Sequence, residues 1–286
     1  MMANRILLYV IPLLLFACEK DARIPLPESQ SKLVLVSFIS PDVDTLEASL
    51  TWSAPVFRSS QKFPSDPSKS VVWLEGPSGK HAFQYSTSKE KFVLLQEEAA
   101  LDYGKTYQIF AKDPEGNMVH GTCEIPLNQA NGFEVMIEDS FETGGSWGAP
   151  IYTYLFRIRF ADSGSGISRF RVGAYQEVEF EEDKPFWYAL DGEMETRFYE
   201  SEANPPRNFS LSVRPSSFFS SSGSNGSQKF RFTLTKGDEA YYQYHRSLFS
   251  FEGDNPFAEP VRLYSNVQGG LGVVAGFSMQ QLEIEK

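Results

Sequence analysis

The sequence predicts a mainly β protein made of two β-sandwich-like domains, with one short helix in the second domain. Many segments alternate apolar and polar side chains with a period of two, which is typical of half-buried strands. Turns rich in Gly, Pro, Asn and Ser separate these segments, and a single stretch has helical spacing instead. The 286 residues are 41% hydrophobic and 14% aromatic, which is enough for substantial cores. We expect domains at residues 32–126 and 127–286, with the helix near 236–250.

The first domain is predicted from a series of strands. Leu33 and Leu35 alternate with Val34 and Val36, and a similar alternation covers residues 46–52. Residues 71–75 precede a Gly-Pro-Ser-Gly turn and a return strand to residue 85. Residues 107–112 and 118–125 flank a turn rich in Pro, Gly and Asn, which is a hairpin signal.

A tyrosine corner is the more specific hint in this domain. Leu101, Gly104 and Tyr107 have a spacing similar to the corner that leads into a late strand of immunoglobulin-like and fibronectin type III sandwiches. In that corner a Tyr hydroxyl bonds to the backbone a few residues upstream. Tyr103 stands where the fibronectin pattern usually has proline. We therefore interpret residues 32–126 as an immunoglobulin/fibronectin III-like β-sandwich.

The second domain is predicted to contain five strands, at residues 151–160, 170–180, 186–190, 209–213 and 230–234. Its helix is predicted from Ala240, Tyr241, Tyr244 and Leu248, which recur at helical spacing. Thr235 is the predicted cap, and the helix should end near residue 250. The aromatic side of the helix is expected to pack in a core and not to form a ligand platform.

The N-terminus resembles a bacterial lipoprotein signal. Arg5 is followed by an apolar run that ends at Ala17-Cys18, and this run is too short to span a bilayer. Residues 1–17 are the predicted signal peptide, Cys18 the predicted lipidation site, and residues 18–31 a tether. Several acyl chains on Cys18 would hold the protein firmly at a membrane. The alternative is an ordinary secretory peptide.

The charge balance excludes some partners. The chain has 26 Lys and Arg against 37 Asp and Glu, a net charge of −11, and loss of residues 1–17 removes only Arg5. The mature charge of −12 argues against nucleic acid, whose phosphates need Lys and Arg, and against a basic membrane patch. Cys123 then has no partner for an intrachain disulfide, and we expect it to be buried in a strand.

No catalytic constellation is predicted. Ser146 lies in a G-x-S-x-G sequence, but a nucleophile elbow needs a helix directly after the Ser, and here Pro150 and a predicted strand follow. The acidic residues between Glu177 and Asp183 alternate with apolar ones, which favours a solvated strand face. His81, His120 and His245 have no metal-ligand spacing. The sequence therefore predicts a non-enzymatic protein with no metal and no cofactor.

The C-terminal part resembles a family signature. A Tyr-rich helix leads to an N-P-F-x-E-P segment, then to a Ser-Asn pair and a GGLG sequence. This arrangement is similar to the Bacteroidota lipoprotein family known as domain of unknown function 4249, and the resemblance extends from Cys18 over nearly the whole chain. Val273 and Val274 stand where that family usually has an aromatic. The signature residues, which we expect to be structural, are Tyr244, Asn255, Pro256, Phe257, Glu259, Pro260, Ser265, Asn266, Gly269, Gly270 and Gly272.

The resemblance implies an outer-membrane lipoprotein, because members of the family have that character and many are encoded near TonB-dependent receptors. Glu19, Lys20 and Asp21 are similar to the charged export signals of Bacteroidota, which favours the cell surface over the periplasmic face. We expect a non-enzymatic accessory or binding component of a TonB-dependent nutrient uptake system, with partners bound at residues 139–150 and 216–227. The alternative is a glycan-binding or adhesion module using Trp147 or Trp187. A hydrolase is the least favoured.

Overall fold

The computed structural model describes residues 31–54, 66–127, 130–146, 149–162, 167–178, 185–190, 198–201, 207–213, 228–249 and 262–286. The fold is mainly β, which confirms the predicted fold class. Within these residues the elements are β1 Leu33–Ile39, β2 Thr45–Trp52, a 3₁₀ turn Pro67–Lys69, β3 Val71–Gly76, β4 Gly79–Ala82, β5 Gln84–Ser86, β6 Lys91–Leu95, α1 Gln96–Ala99, β7 Thr106–Lys112, β8 Met118–Glu124, β9 Ala130–Ser146, β10 Ala149–Asp162, β11 Ser168–Val178, β12 Phe186–Ala189, β13 Phe198–Ser201, β14 Arg207–Val213, β15 Lys229–Gly237, α2 Glu239–Phe249 and β16 Leu271–Glu285.

The described strands form one long sheet and two smaller ones. The long sheet has nine strands in the order β12-β11-β15-β16-β1-β2-β6-β5, and β13 also pairs with β11. The smaller sheets have the orders β4-β3-β7-β8 and β14-β10-β9. β1 and β16 pair in parallel, whereas β16 and β15 are antiparallel, so the long sheet is mixed.

Strand β16 joins the two halves of the chain. Its first part pairs with β1 from Leu271 to Gly276, and its remainder pairs with β15 from Phe277 to Glu285. Residues 31–286 accordingly form one compact unit. Strand pairing therefore crosses the expected domain boundary near residue 126, and the last described strand pairs with the first described one.

The first core lies between the β1-β2-β6 part of the long sheet and the four-stranded sheet. Leu35, Leu46 and Ile109 are fully buried there. The predicted tyrosine corner is confirmed, because the Tyr107 hydroxyl oxygen accepts a hydrogen bond of 2.8 Å from the backbone N–H of Asp102. Cys123 is a free, buried thiol in β8, also as predicted.

The second core is rich in phenylalanine. The three-stranded sheet packs against β11, β15 and β16 through side chains of β9 and β10. The ring centroids of Phe156 and Phe232 are 4.7 Å apart, and those of Phe156 and Phe230 are 5.2 Å apart, both in edge-to-face contact. On β16, Val274 belongs to the first core while Leu282 and Ile284 contact the second, so both cores lie on the same face of the long sheet.

Helix α2 packs on the opposite face of the long sheet. Ala240 and Tyr241 form a third, smaller cluster with Val273 and Ala275 of β16. The predicted cap is wrong: Thr235 lies inside β15, and the Asp238 carboxylate accepts the Tyr241 N–H at 2.8 Å instead. The capping oxygen must lie just before the first turn, and the β-strand continues to Gly237.

One segment that we expected to be a partner-binding loop has a different structure. Residues 139–146 are not a loop, because β9 continues to Ser146 and pairs with β10 in a hairpin. Residues 216–227 lie outside the described part of the chain.

Candidate functional site

The Ser-Asn pair of the C-terminal signature bonds to the start of β16. The Asn266 side-chain oxygen accepts the Val274 N–H at 2.9 Å, and its amide nitrogen donates to the Val274 carbonyl at 2.8 Å. The same amide donates to the Thr122 carbonyl of β8 at 3.1 Å. Ser265 accepts the Gly272 N–H on its hydroxyl at 3.1 Å. Asn266 thus bonds to the backbones of both β8 and β16, and Ser265 bonds to that of β16, as a neighbouring strand would.

The glycines of the signature allow backbones to approach closely. Gly272 has a φ of +112°, and a Cβ placed there would lie 2.0 Å from the Leu35 carbonyl oxygen. A Cβ at Gly270 would lie 2.3 Å from the Leu33 carbonyl oxygen. Only glycine fits such contacts without displacing β1. We call Gly269, Gly270 and Gly272 the glycine seat of β16.

Asp238 accepts hydrogen bonds from three elements of the fold. Its carboxylate accepts the Tyr241 N–H of α2 at 2.8 Å, the Gly276 N–H of β16 at 3.1 Å and the Glu124 N–H of β8 at 3.3 Å. Burial raises the pKa of Asp238 to about 6, and the three N–H bonds oppose that rise. Asp238 is therefore a buried junction and is enclosed by backbone donors.

A pocket of about 490 Å³ opens between the last turns of α2 and the segment that precedes β16. The Ser247 hydroxyl joins its two walls, because it donates to the Tyr244 carbonyl at 2.8 Å and accepts the Tyr264 N–H at 3.0 Å. We call this the arginine pocket. Its described lining is Gln243, Arg246, Ser247, Arg262, Leu263, Tyr264 and Ser265.

Two arginines line the arginine pocket. Arg246 contributes from the last turn of α2 and Arg262 from the opposite wall. Ser265 lines the pocket and also bonds to Gly272, so this wall is continuous with the glycine seat.

His245 is the neighbour of Arg246 but points into the protein. Its ring stacks on Phe38 with centroids 4.9 Å apart and lies 4.3 Å from the ring of Tyr241. Burial, with a smaller contribution from Arg171, lowers the pKa of His245 to about 3. His245 is therefore neutral at ordinary pH and packs under the helix.

The sequence model of one family matches residues 19–283, under the description domain of unknown function (DUF4249). The chain belongs to the DUF4249 family. No curated protein matches its sequence. The match covers both cores and nearly all of β16, so the shared strand is part of the DUF4249 domain.

The DUF4249 signature residues lie partly within the described structure. Tyr244 packs on Phe38 with ring centroids 5.6 Å apart, and Ser265, Asn266 and the glycine seat hold β16. The other signature residues lie outside the described part of the chain; they are Asn255, Pro256, Phe257, Glu259 and Pro260. The predicted lipidation site Cys18 also lies outside it.

The other candidate residues are dispersed. Ser146 ends β9, and strand β10 begins at Ala149, so the helix required after a nucleophile elbow is replaced by a strand. Glu177 forms an ion pair of 3.3 Å with Lys229 across β11 and β15. Trp147 lies outside the described residues. Trp187 lies on β12 with the Arg231 guanidinium 3.9 Å from its ring centroid.

The described residues contain no group of three His, Cys, Asp or Glu side chains placed to share a metal ion. No helix among them has the length and apolar character that crossing a membrane requires.

Sequence reasoning missed the arginine pocket. Gln243, Arg246 and Ser247 follow one another at helical spacing, which places them on one side of α2. Arg262 lies sixteen residues further on, and its segment contacts the helix through the Ser247–Tyr264 hydrogen bond and through the packing of Tyr264 on the Ala240–Tyr241 cluster. A local pattern could have suggested one wall of the pocket but not the other.

Proposed function

We propose that this DUF4249 protein is a lipid-anchored, non-enzymatic binding component of an outer-membrane nutrient uptake system. The observation that carries the proposal is the arginine pocket, which lies directly beside the family signature. Ser265 belongs to both, and the Ser247 hydroxyl, which accepts the Tyr264 N–H of the opposite wall, donates to the backbone carbonyl of the signature residue Tyr244. A pocket bordered by these two residues favours ligand binding over a purely architectural role.

The anchor is proposed from the sequence around Cys18, which is similar to that of Bacteroidota lipoproteins. Because the mature charge is −12, we expect acyl chains and not a basic patch to hold the protein at the membrane. Cys18→Ala should move the protein from the membrane fraction to the soluble fraction. Cys123→Ala is the matched control and should stay in the membrane. Retention of the Cys18→Ala protein after a carbonate wash would contradict the anchor.

The partner is proposed to be a TonB-dependent receptor, with the cell surface favoured over the periplasmic face. The support is the family resemblance together with the charged residues after Cys18. A tagged protein purified from native outer membranes in mild detergent should bring down such a receptor in stoichiometric amounts. Recovery of the tagged protein without any receptor would overturn this part of the proposal.

The alternative is a glycan-binding or adhesion module, and β12 favours it. This edge strand carries three consecutive aromatics, of which Phe186 is 43% and Tyr188 39% exposed. Exposed rings on a strand can stack on sugar faces, although Arg231 covers one face of Trp187. A glycan array would detect binding that is lost in Phe186→Ala/Tyr188→Ala, which removes the two exposed rings of this strand. An array without signal for the unmodified protein would eliminate this alternative.

A further inference from the structure

We propose that the outer edge of β16 at residues 279–285 is a docking site for an extended segment of a partner protein, in which basic and apolar residues alternate. The segment would pair with β16 as an additional strand and would continue the line of β1, which ends at Ile39. This inference goes beyond the proposed function, because it depends on the strand edge and on neither the arginine pocket nor a TonB-dependent receptor.

The direction of the backbone groups at this edge follows from the pairing of β16 with β15. Lys286 and Gln228 exchange two backbone hydrogen bonds of 2.9 and 2.8 Å, so the even-numbered residues in this part of β16 face β15. The odd-numbered residues therefore direct their N–H and C=O groups to the other side. Among the described strands, none lies on that side beyond Gly276, the last β16 residue that pairs with β1.

The edge is exposed after its first residue. Asp42, in the turn that follows β1, accepts the Met279 N–H at 2.7 Å. The next odd-numbered residues, Gln281, Glu283 and Glu285, are all exposed. A strand edge whose N–H and C=O groups face outward is a template for another strand, and peptides bind to such edges by adding a strand to the sheet. A partner segment of about seven residues would cover the edge.

The charges nearest to the edge favour basic side chains on one face of the added strand. Side chains on neighbouring strands lie directly beside each other, so one face of the added strand would meet Gln281, Glu283 and Glu285. Arg231, which forms an ion pair of 2.7 Å with Glu283, belongs to β15 and therefore lies on the far side of β16. We accordingly expect Lys or Arg at alternate positions of the partner segment.

The other face of the added strand would meet the side of the second core. β9 is the outer strand of its sheet, and Lys286 donates to the Ser140 hydroxyl of β9 at 2.9 Å, so the edge of β16 lies beside β9. Four apolar side chains of these two strands are only partly buried against the second core: Phe133, Ile137, Leu282 and Ile284. Apolar residues of the added strand would cover them, and burial of apolar surface favours association.

A second copy of this chain is a disfavoured occupant. Antiparallel pairing of two β16 edges about Glu283 would place this glutamate opposite its own copy and Gln281 opposite Glu285. Like charges directly opposite each other destabilise a pair of strands. The acidic side chains therefore act against self-pairing, as charges on edge strands commonly do, and they admit a basic partner.

Fluorescence anisotropy with the full-length protein in detergent tests the proposal. The probe is a labelled peptide of about seven residues in which lysine and valine alternate, at about 0.15 M NaCl to screen general attraction to an acidic protein. One reference peptide has glutamate in place of lysine, and another has the same composition with its lysines grouped at one end. We expect the alternating lysine peptide to bind about tenfold more tightly than either reference. Absence of saturable binding, or equal affinity for a reference peptide, would overturn the proposal.

Two variants at one position separate the strand edge from its side chain. Gln281→Pro removes an N–H that points away from β15, and proline is tolerated where the N–H of an edge strand faces outward. It should weaken binding of the lysine peptide about tenfold, because the added strand loses a backbone donor and meets the proline ring. Gln281→Ala is the matched control and should change the affinity less than about twofold. Unchanged affinity in Gln281→Pro would contradict pairing at this edge.

Hydrogen exchange resolved at single amides keeps the test decisive if Gln281→Pro does not fold. Saturating lysine peptide should slow exchange at the Gln281 and Glu283 amides of the unmodified protein about tenfold. The amides of Leu282 and Ile284 already face β15 and should not change. Slowing without this alternation would reject strand addition.

Sedimentation of the unmodified protein in detergent covers the remaining occupant. We expect a monomer. A dimer that Gln281→Pro dissociates and Gln281→Ala does not would show that a second copy occupies the edge, and it would overturn the assignment to a basic segment.

Discussion

The two cores hold the shared strand β16 by different means. Beside the first core its backbone lies directly on other backbones, since Cβ atoms at Gly270, Gly272 and Gly276 would lie 2.0 to 2.4 Å from carbonyl oxygens of β1 and β8. Beside the second core β16 pairs with β15 without a break, and Leu282 and Ile284 reach a cluster of fully buried phenylalanines. Close backbone contacts therefore position the first half of β16, and packed side chains position the second half.

This difference gives a physical reason for the glycines and the Ser-Asn pair at the start of β16. A backbone contact tolerates one residue type, whereas an aromatic core accepts several apolar residues of similar volume. The Ser-Asn pair adds hydrogen bonds at the same place, where strand pairing passes from one half of the chain to the other. The following changes test the comparison, beginning with the largest expected effect.

Gly272→Ala should destabilise the protein by about 4 kcal/mol, because the new Cβ would collide with the Leu35 carbonyl at a backbone with positive φ. Gly116→Ala is the matched control. Gly116 also has a positive φ, +95°, but open space around it, so its change should cost only about 1–2 kcal/mol. Urea unfolding followed by circular dichroism measures both, and equal costs would mean that close approach does not position β16.

Phe232→Ala should cost about 3–4 kcal/mol by opening a cavity in the second core, where Phe232 is fully buried against Phe156. Phe232→Leu should recover much of the loss, whereas no conservative residue can replace Gly272. Phe141→Ala, at a side chain that is 47% exposed, is the control and should change the free energy of unfolding by less than about 0.5 kcal/mol. A cost for Phe232→Leu as large as that for Phe232→Ala would remove the contrast between the cores.

Asp238 should make stability depend on pH. Its pKa rises from an ordinary 3.8 in the unfolded chain to about 6 in the fold, so the folded state binds the proton more tightly. This stabilisation is complete below pH 4 and is lost as the pH rises through 6, a decrease of up to about 3 kcal/mol. Unfolding free energies of the unmodified protein and Asp238→Asn, compared from pH 4 to 7, isolate this contribution. If the free energy of unfolding depends on pH in the same way in both proteins, this contribution of Asp238 is contradicted.

Asn266→Asp should cost about 2 kcal/mol, because a carboxylate cannot donate to the Val274 and Thr122 carbonyls that the amide now satisfies. Gln108→Glu makes the same chemical change at an exposed amide that bonds to Thr122 Oγ1, and it should cost less than about 0.5 kcal/mol. If the two variants unfold at the same urea concentration, the Ser-Asn pair does not hold β16.

Much of the fold could be predicted from the sequence, and the failures have physical causes. Alternation identified β1, β2, β10 and β11 because buried side chains alternate along each strand with less buried ones, and the Tyr107 corner followed from local spacing. β16 is not among the five strands that the sequence predicts for the second domain. Its residues 273–275 are buried on both faces, between the first core and α2, so the period-two signal is absent there.

The site was less predictable than the fold. The signature glycines could be named from the sequence, but the carbonyls that they face belong to β1 and β8, more than a hundred residues away. Arg246 and Arg262 line one pocket, and the Ser247–Tyr264 hydrogen bond connects the two segments that carry them. Contacts between distant segments leave no local pattern, whereas a strand or a helix does.

Hydrogen exchange in increasing urea, read by mass spectrometry, tests most directly whether β16 couples the two cores. The probes are the peptides that contain β7, which borders the first core, and β11, which borders the second. We predict that both lose protection at one urea midpoint, and that Gly272→Ala lowers both midpoints equally although it lies beside the first core. Two separate midpoints, or a Gly272→Ala effect confined to β7, would contradict a single unit joined by the shared strand.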